Sequence, residues 1–164
     1  MPKLKQPATP WLLGIIVLLL IADQATKWLA THYLVYGQAV PVLPFLNWTL
    51  LHNSGAAFSF LSDAGGWQRW FFTAVSVVVS SIFFVWMLRT PLTEAIMRYS
   101  LALIIAGAIG NLVDRVRFGY VVDFISVHWQ QAYFFPAFNI ADSAITVGAI
   151  LMIIDIMLQK ETEK

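Results

Sequence analysis

The chain has 164 residues, of which 59% are apolar and 12% charged, and its net charge is +1. Soluble domains carry about 25% charged residues, so a charge-coated globule is excluded, and so little net charge gives no footing for a nucleic-acid partner. The absence of cysteine excludes disulfides, thiolate-bound metals and a cysteine nucleophile.

Lys3 and Lys5 precede an apolar run from Trp11 to Ala22, the pattern of a signal peptide. No small-x-small cleavage site follows, and further long apolar segments do, so the run is expected to be a retained first span. A span needs about 20 mostly apolar residues. Four segments meet this: about 11–29, 67–88, 95–113 and 140–158. The expected fold is an all-α membrane protein with four transmembrane helices, forming one integral membrane domain over residues 1–164.

The first span carries Asp23 and Lys27 in its last turns, spaced i, i+4 on one helix face. The following segment, Val40 to Asn53, is rich in β-branched, aromatic and proline residues and reads as short extended pieces with turns. It includes Asn47-Trp48-Thr49, a glycosylation sequon that three residues often match by chance. Gly65 and Gly66 lead into the second span, which has no charge after Arg69 until its end. On the third, Ala102, Ala106 and Gly110 recur every four residues with Gly107 beside them, the spacing of a helix-packing face. Arg98 is expected near the end of that span. The stretch from about Asp114 to Asn139 mixes charges with Trp129, Tyr133, Phe134, Phe135 and Phe138, and is expected to lie on the membrane interface.

Orientation follows Lys and Arg. Lys3, Lys5, Arg89, Arg98, Lys160 and Lys164 fall on one side, and Lys27, Arg69, Arg115 and Arg117 on the other. The bias predicts cytoplasmic termini, with both longer loops outside.

Ionisable groups at membrane depth cost about 2.5–3.5 kcal/mol or more, so each needs a reason. Asp23, Lys27, Asn111, Asp114, Arg115, Asn139 and Asp142 all fall at the expected outer ends of spans, and Asp123 lies between Val121-Val122 and Phe124-Ile125. Asp23–Lys27 also fits a plain interfacial ion pair. Asn139 with Asp142 equally fits a helix N-cap with an acid in the first turn. Asp155, toward the far end of span four, is expected at the other interface. Two carboxylates held together share a proton; one then activates water while the other polarises a carbonyl and protonates a leaving amine. A serine route is weaker, since Ser54 and Ser143 lack an evident base. His32, His52 and His128 show no i, i+4 pair, so a zinc-binding helix is absent; no metal or cofactor is expected. A small proton- or cation-coupled transporter subunit is the alternative use of the same acids. The lack of internal repeats counts against it. A non-catalytic assembly factor is a third.

Five blocks in order carry a resemblance: Asp23-Gln24-x-x-Lys27; Asn53-Ser54-Gly55-Ala56-Ala57-Phe58-Ser59-Phe60; Gly107-Ala108-Ile109-Gly110-Asn111-Leu112-x-Asp114-Arg115; Gly119-x-Val121-Val122-Asp123-Phe124; and Phe138-Asn139-Ile140-Ala141-Asp142-Ser143. Over nearly its whole length the chain resembles the bacterial lipoprotein signal peptidases (signal peptidase II), aspartic peptidases of the inner membrane. The resemblance implies that Asp123 and Asp142 are the catalytic dyad. It implies that Asn53, Gly107, Asn111, Arg115, Asn139 and Ala141 line the substrate site, with Asp23, Lys27 and Asp114 supporting it. It further implies a diacylglyceryl-modified prolipoprotein as substrate, cut on the N-terminal side of its lipidated cysteine. The expected setting is a monomer among membrane lipids, with its site at the periplasmic face.

Overall fold

A computed structural model of the chain describes residues 9–55, 67–130 and 132–162. Lys3, Lys5 and Lys164, the Ala56–Phe60 part of the second block, and Gly65-Gly66 lie outside the described residues. Four helices, α1 (Thr9–Tyr33), α2 (Trp67–Arg89), α3 (Ala95–Phe118) and α4 (Ile140–Thr162), are long and apolar enough to cross a membrane. At about 1.5 Å per residue, the 25 residues of α1 exceed the ~30 Å hydrocarbon core. The four strands β1 (Ala39–Leu43), β2 (Leu46–Asn53), β3 (Val121–Trp129) and β4 (Tyr133–Phe134) form an antiparallel sheet in sequence order.

The central element is α3. It packs against α1, α2 and α4, and 67% of its apolar stretch is buried, against at most 22% for the others. Leu12, Ile16, Met87, Leu101 and Ile105 fill the core between the helices. Outward-facing Leu18, Ile21, Val78, Ile82, Ile150 and Ile153 remain exposed, as lipid-facing side chains must be in a spanning helix. Close packing of α3 on α4 depends on missing side chains. A Cβ at Gly107 would run into the Ala141 carbonyl oxygen, and one at Gly148 would stand 2.7 Å from Ile104 and 2.8 Å from the Ser100 oxygen. The small residues at four-residue spacing do serve as a packing face.

At its start, α3 buries Arg98, which donates to the Thr9 hydroxyl at 2.8 Å. At its other end it runs past Val113 to Phe118 and stops at Gly119. Gly119 has φ 85° and returns its N–H to the Arg115 oxygen, the left-handed close that glycine makes without a Cβ clash. The chain then enters β3 directly. The stretch expected as an aromatic interfacial loop is therefore divided: its first residues finish α3, and Val121–Trp129 is a strand.

β3 pairs with β2, with Leu51 opposite Asp123 and Asn53 opposite Val121. Val121 to Phe124 are all buried, because Val122 and Phe124 pack with Ala30 of α1 and Leu50 of β2. The sheet thus closes one end of the helix bundle. Asn47 is fully buried within β2, so the sequon offers no accessible acceptor. On α4, Asp155 is buried and accepts from Gln159 Nε2 at 2.7 Å.

Gly148→Val places new atoms against α3 where there is no room. Overpacking of this kind costs about 1–3 kcal/mol. The thermal unfolding midpoint of the purified protein in detergent is expected to fall; an unchanged midpoint would contradict the packing described.

Candidate active site

Asp123 stands on β3 and Asp142 in the first turn of α4. Asn139 joins them. Its Nδ2 donates to Asp123 Oδ1 at 2.7 Å, and its backbone N–H donates to Asp142 Oδ2 at 3.2 Å. The Asn139 side-chain oxygen in turn accepts the Asp142 N–H at 2.9 Å. This reciprocal pair is a capping box with aspartate in the acidic place. Asp142 therefore serves as the acid of the helix cap and is linked to Asp123 through Asn139, so the cap leaves it placed beside the other carboxylate.

Each carboxylate has one further amide donor. Asn111 Nδ2 reaches Asp142 Oδ1 at 2.7 Å, and Asn53 Nδ2 reaches Asp123 Oδ2 at 3.1 Å. The orientation of Asn111 is dictated from behind. Lys27 Nζ donates to Asn111 Oδ1 at 3.0 Å, and an ammonium has no acceptor to offer. The Asn111 oxygen must face Lys27, which leaves its NH2 for Asp142.

Lys27 also makes ion pairs at 2.9 Å with both Asp23 and Asp114. All three charges are at most 3% exposed. Such burial is tolerable only when the remaining lone pairs are satisfied. Asp23 Oδ1 accepts the Ala141 N–H at 2.9 Å, Asp114 Oδ2 accepts the Val122 N–H at 3.1 Å, and Gln24 Nε2 donates to Asp114 Oδ1 at 2.9 Å. The acids of α1 and α3 thereby grip the backbone beside each member of the pair: Ala141 precedes Asp142, and Val122 precedes Asp123. Gly110 sits where a Cβ would meet Asp23 Oδ2 at 2.7 Å, so glycine there lets the carboxylate in.

The Asp123 carboxyl is pushed up to about 7. Burial is the main cause and the Asp142 charge the second; hydrogen bonds from Asn53 and Asn139 and the charge of Lys27 oppose them. It can therefore hold a proton near neutral pH, as a shared-proton pair requires.

A cavity of about 550 Å³ opens at this level. Asn53, Asn111, Arg115 and Asp142 line it on the polar side, and Phe135, Phe138 and Ile145 on the apolar side. The Arg115 guanidinium lies over the Phe72 ring at 5.4 Å. Of the residues expected at the site, Gly107 and Ala141 act through helix packing, and the rest belong to the polar network or the cavity wall. Two contributors were not singled out from sequence. Gln24 has its signal within the first motif block. Arg69, at the start of α2, donates to backbone oxygens of α3 and has no sequence signal beyond being a charge at a helix end. The other nucleophile route finds no support: Ser143 Oγ donates to the Asn139 oxygen at 2.9 Å, while His52 stacks on Tyr120 at 4.0 Å and burial pushes its imidazole down.

Four spanning helices with a buried carboxylate pair beside a mostly apolar cavity fit the class of membrane aspartic peptidases. Similarity to known proteins narrows this. A family profile described as signal peptidase (SPase) II matches residues 15–158. A lipoprotein signal peptidase from Acinetobacter baumannii is 59% identical over 153 residues, 93% of this chain and 86% of the relative. One from Ectopseudomonas mendocina is 51% identical over 156 residues, 94% and 92% of the two chains. A bacterial membrane enzyme solved by the in meso method at 2.3 Å superposes with a TM-score of 0.87 at 34% identity, covering 98% of this chain and 95% of that one. The chain belongs to the signal peptidase II family, the multi-pass inner-membrane peptidases that process prolipoproteins. The transporter and assembly-factor alternatives give way to this membership.

Because the Asn53 donor stabilises the charged form of Asp123, Asn53→Ala removes a lowering influence. The titration of Asp123, followed by carboxyl-carbon NMR of labelled aspartate, is expected to move to higher pH. No movement, or movement downward, would contradict the assigned hydrogen bond.

Proposed function

We propose that Asp123 and Asp142 hydrolyse the peptide bond on the N-terminal side of the lipidated cysteine in diacylglyceryl-modified prolipoproteins, by activating water without a covalent intermediate. The observation that carries this reading is the bridge through Asn139, which ties both carboxyl groups into one unit beside the cavity. The pair carries a single proton near neutral pH and titrates as a unit. Asp142 stands at the N-terminus of α4, whereas Asp123 lies on a strand and holds its proton up to about pH 7. In this scheme Asp142 is the base that takes a proton from water. Asp123 polarises the scissile carbonyl and then supplies the proton for the departing amine. The attacking oxygen becomes part of the new carboxyl group, so atoms and charge balance.

The supporting residues follow from their contacts. Asn53, Asn111 and Asn139 aim amide donors at the carboxylates, which neutral donors do without adding charge. Lys27, Asp23 and Asp114 hold those amides and the adjoining backbone. Gly107 and Ala141 bring α3 and α4 close enough for the pair to meet, and Arg115 supplies a cation on the cavity wall. The apolar wall at Phe135, Phe138 and Ile145 suits acyl chains and the apolar signal helix, and the aromatic segment before Asn139 covers the site from the periplasmic side. The distribution of Lys and Arg supports cytoplasmic termini and a periplasmic site. In this reading the chain acts as a single peptidase domain, a monomer among membrane lipids.

Asp123→Asn and Asp142→Asn keep shape but remove the shared proton chemistry. Each is expected to lower cleavage of a lipidated precursor in detergent by at least about 10³-fold, with the protein still inserted and folded. Normal processing by either purified variant would overturn the mechanism.

A further inference from the structure

The least buried of the four spans is α2, with 11% of its apolar stretch covered, and the element it packs on extensively is α3. Beyond the core contacts of Met87, part of its grip there falls on a residue of the cavity wall. The last carbonyls of a helix run short of partners within it, and the Arg115 oxygen has the Gly119 N–H as one of its two here. At the end of α3, Arg69 Nε donates to the Arg115 oxygen at 2.9 Å, and Arg69 Nη2 donates to the Val116 oxygen at 2.6 Å. The guanidinium thus reads two successive carbonyls with two donors fixed in one plane, which a lysine ammonium cannot reproduce. Its charge also stands at the negative end of the α3 dipole. Gly119 closes the helix beneath it: a Cβ there would lie 3.4 Å from Arg69 Cδ. Three residues further along the same face of α2, the Phe72 ring supports the Arg115 guanidinium. Among the described residues that guanidinium donates no hydrogen bond; its backbone, this ring and the charges of Asp142, Asp123 and Asp114 set its place.

We propose that Arg69 is a positioning residue for Arg115: by capping the end of α3 from α2, it sets where the Arg115 guanidinium stands in the substrate cavity. The proposal rests on the reading of that cavity as the site of cleavage. Arg69 touches neither carboxylate and acts through Arg115 alone. A purely structural cap would lower stability and activity alike, whatever residue occupies position 115.

The test is a double-mutant cycle on the full chain in detergent, with Arg69→Ala, Arg115→Ala and the two combined. Cleavage of a lipidated precursor gives kcat/KM, affinity for an uncleavable lipopeptide serves any variant without measurable turnover, and thermal unfolding is followed alongside. Displacing a positioned group by about 1 Å can cost up to about 100-fold. Arg69→Ala is expected to lose about 10- to 100-fold in the parent chain and less than about twofold once Arg115 is alanine. Equal losses in both backgrounds, or no loss in the parent, would overturn the proposal. If Arg115→Ala alone cleaves and binds normally, the reading of Arg115 in the cavity fails first, and the proposal with it. Should Arg69→Ala fail to fold, Arg69→Lys goes through the same cycle; it keeps the charge without the paired donors, and the same pattern of loss is expected.

Discussion

The Lys27 ammonium, buried between Asp23, Asp114 and Asn111, is the contact on which the site depends. Its three bonds reach two helices. Asp23 is on the same helix, Asp114 and Asn111 are on α3, and the two acids pass the constraint on to the backbone of α4 and β3 through Ala141 and Val122. A buried ion cluster of this kind is a poor source of net stability, since desolvation offsets much of the attraction. Its worth here is geometric. Removing Lys27 would leave two carboxylates buried without a counter-ion, which costs about 3–5 kcal/mol in comparable cases.

That frame addresses a specific physical difficulty. Two carboxyl groups must be close enough to share a proton, yet their mutual repulsion and burial both oppose charge. The buried ammonium of Lys27 therefore stands one residue back. Lys27 reaches Asp142 only through Asn111, so the pair receives amide dipoles directly and the full charge at a distance. A lysine bonded straight to either acid would hold it ionised and remove the proton donor. Asparagine at positions 53, 111 and 139 is the residue type this task needs: short, neutral and able to donate while its oxygen is fixed elsewhere. Glycine at 107 and 110 and alanine at 141 complete the frame by letting α3 approach α1 and α4 closely enough for these short side chains to meet.

The helices were legible in the sequence because long apolar runs have few other uses, and the end of each run near a charge marked a level of the membrane. The motif blocks named the polar residues. Other features were hidden for identifiable reasons. β3 is covered by α1 on one face and by the site on the other, so Val121 to Phe124 show no alternation, and Asp123 interrupts what would otherwise read as a buried strand. α3 continues through Asp114, Arg115 and Arg117, residues that suggest a loop until their caps and ion pairs are known. Asp142 was ambiguous because the acid of a helix cap and a reactive acid use the same residue at the same place; here it completes the capping box and, in the proposed reading, also reacts. Arg69 was invisible as a contributor, since its partners are backbone oxygens 46 and 47 positions away, and carbonyls leave no mark in a sequence.

Coupling between the two carboxyl groups is the central claim, and titrating them directly tests it. Carboxyl-carbon NMR of the protein in detergent, with labelled aspartate, would follow Asp123 in the parent chain and in Asp142→Asn. Since the Asp142 charge helps to raise Asp123, neutralising it is expected to move the Asp123 titration to lower pH while burial still holds it above an ordinary carboxyl. An Asp123 titration that is the same in both proteins would show two independent acids and contradict the shared-proton site.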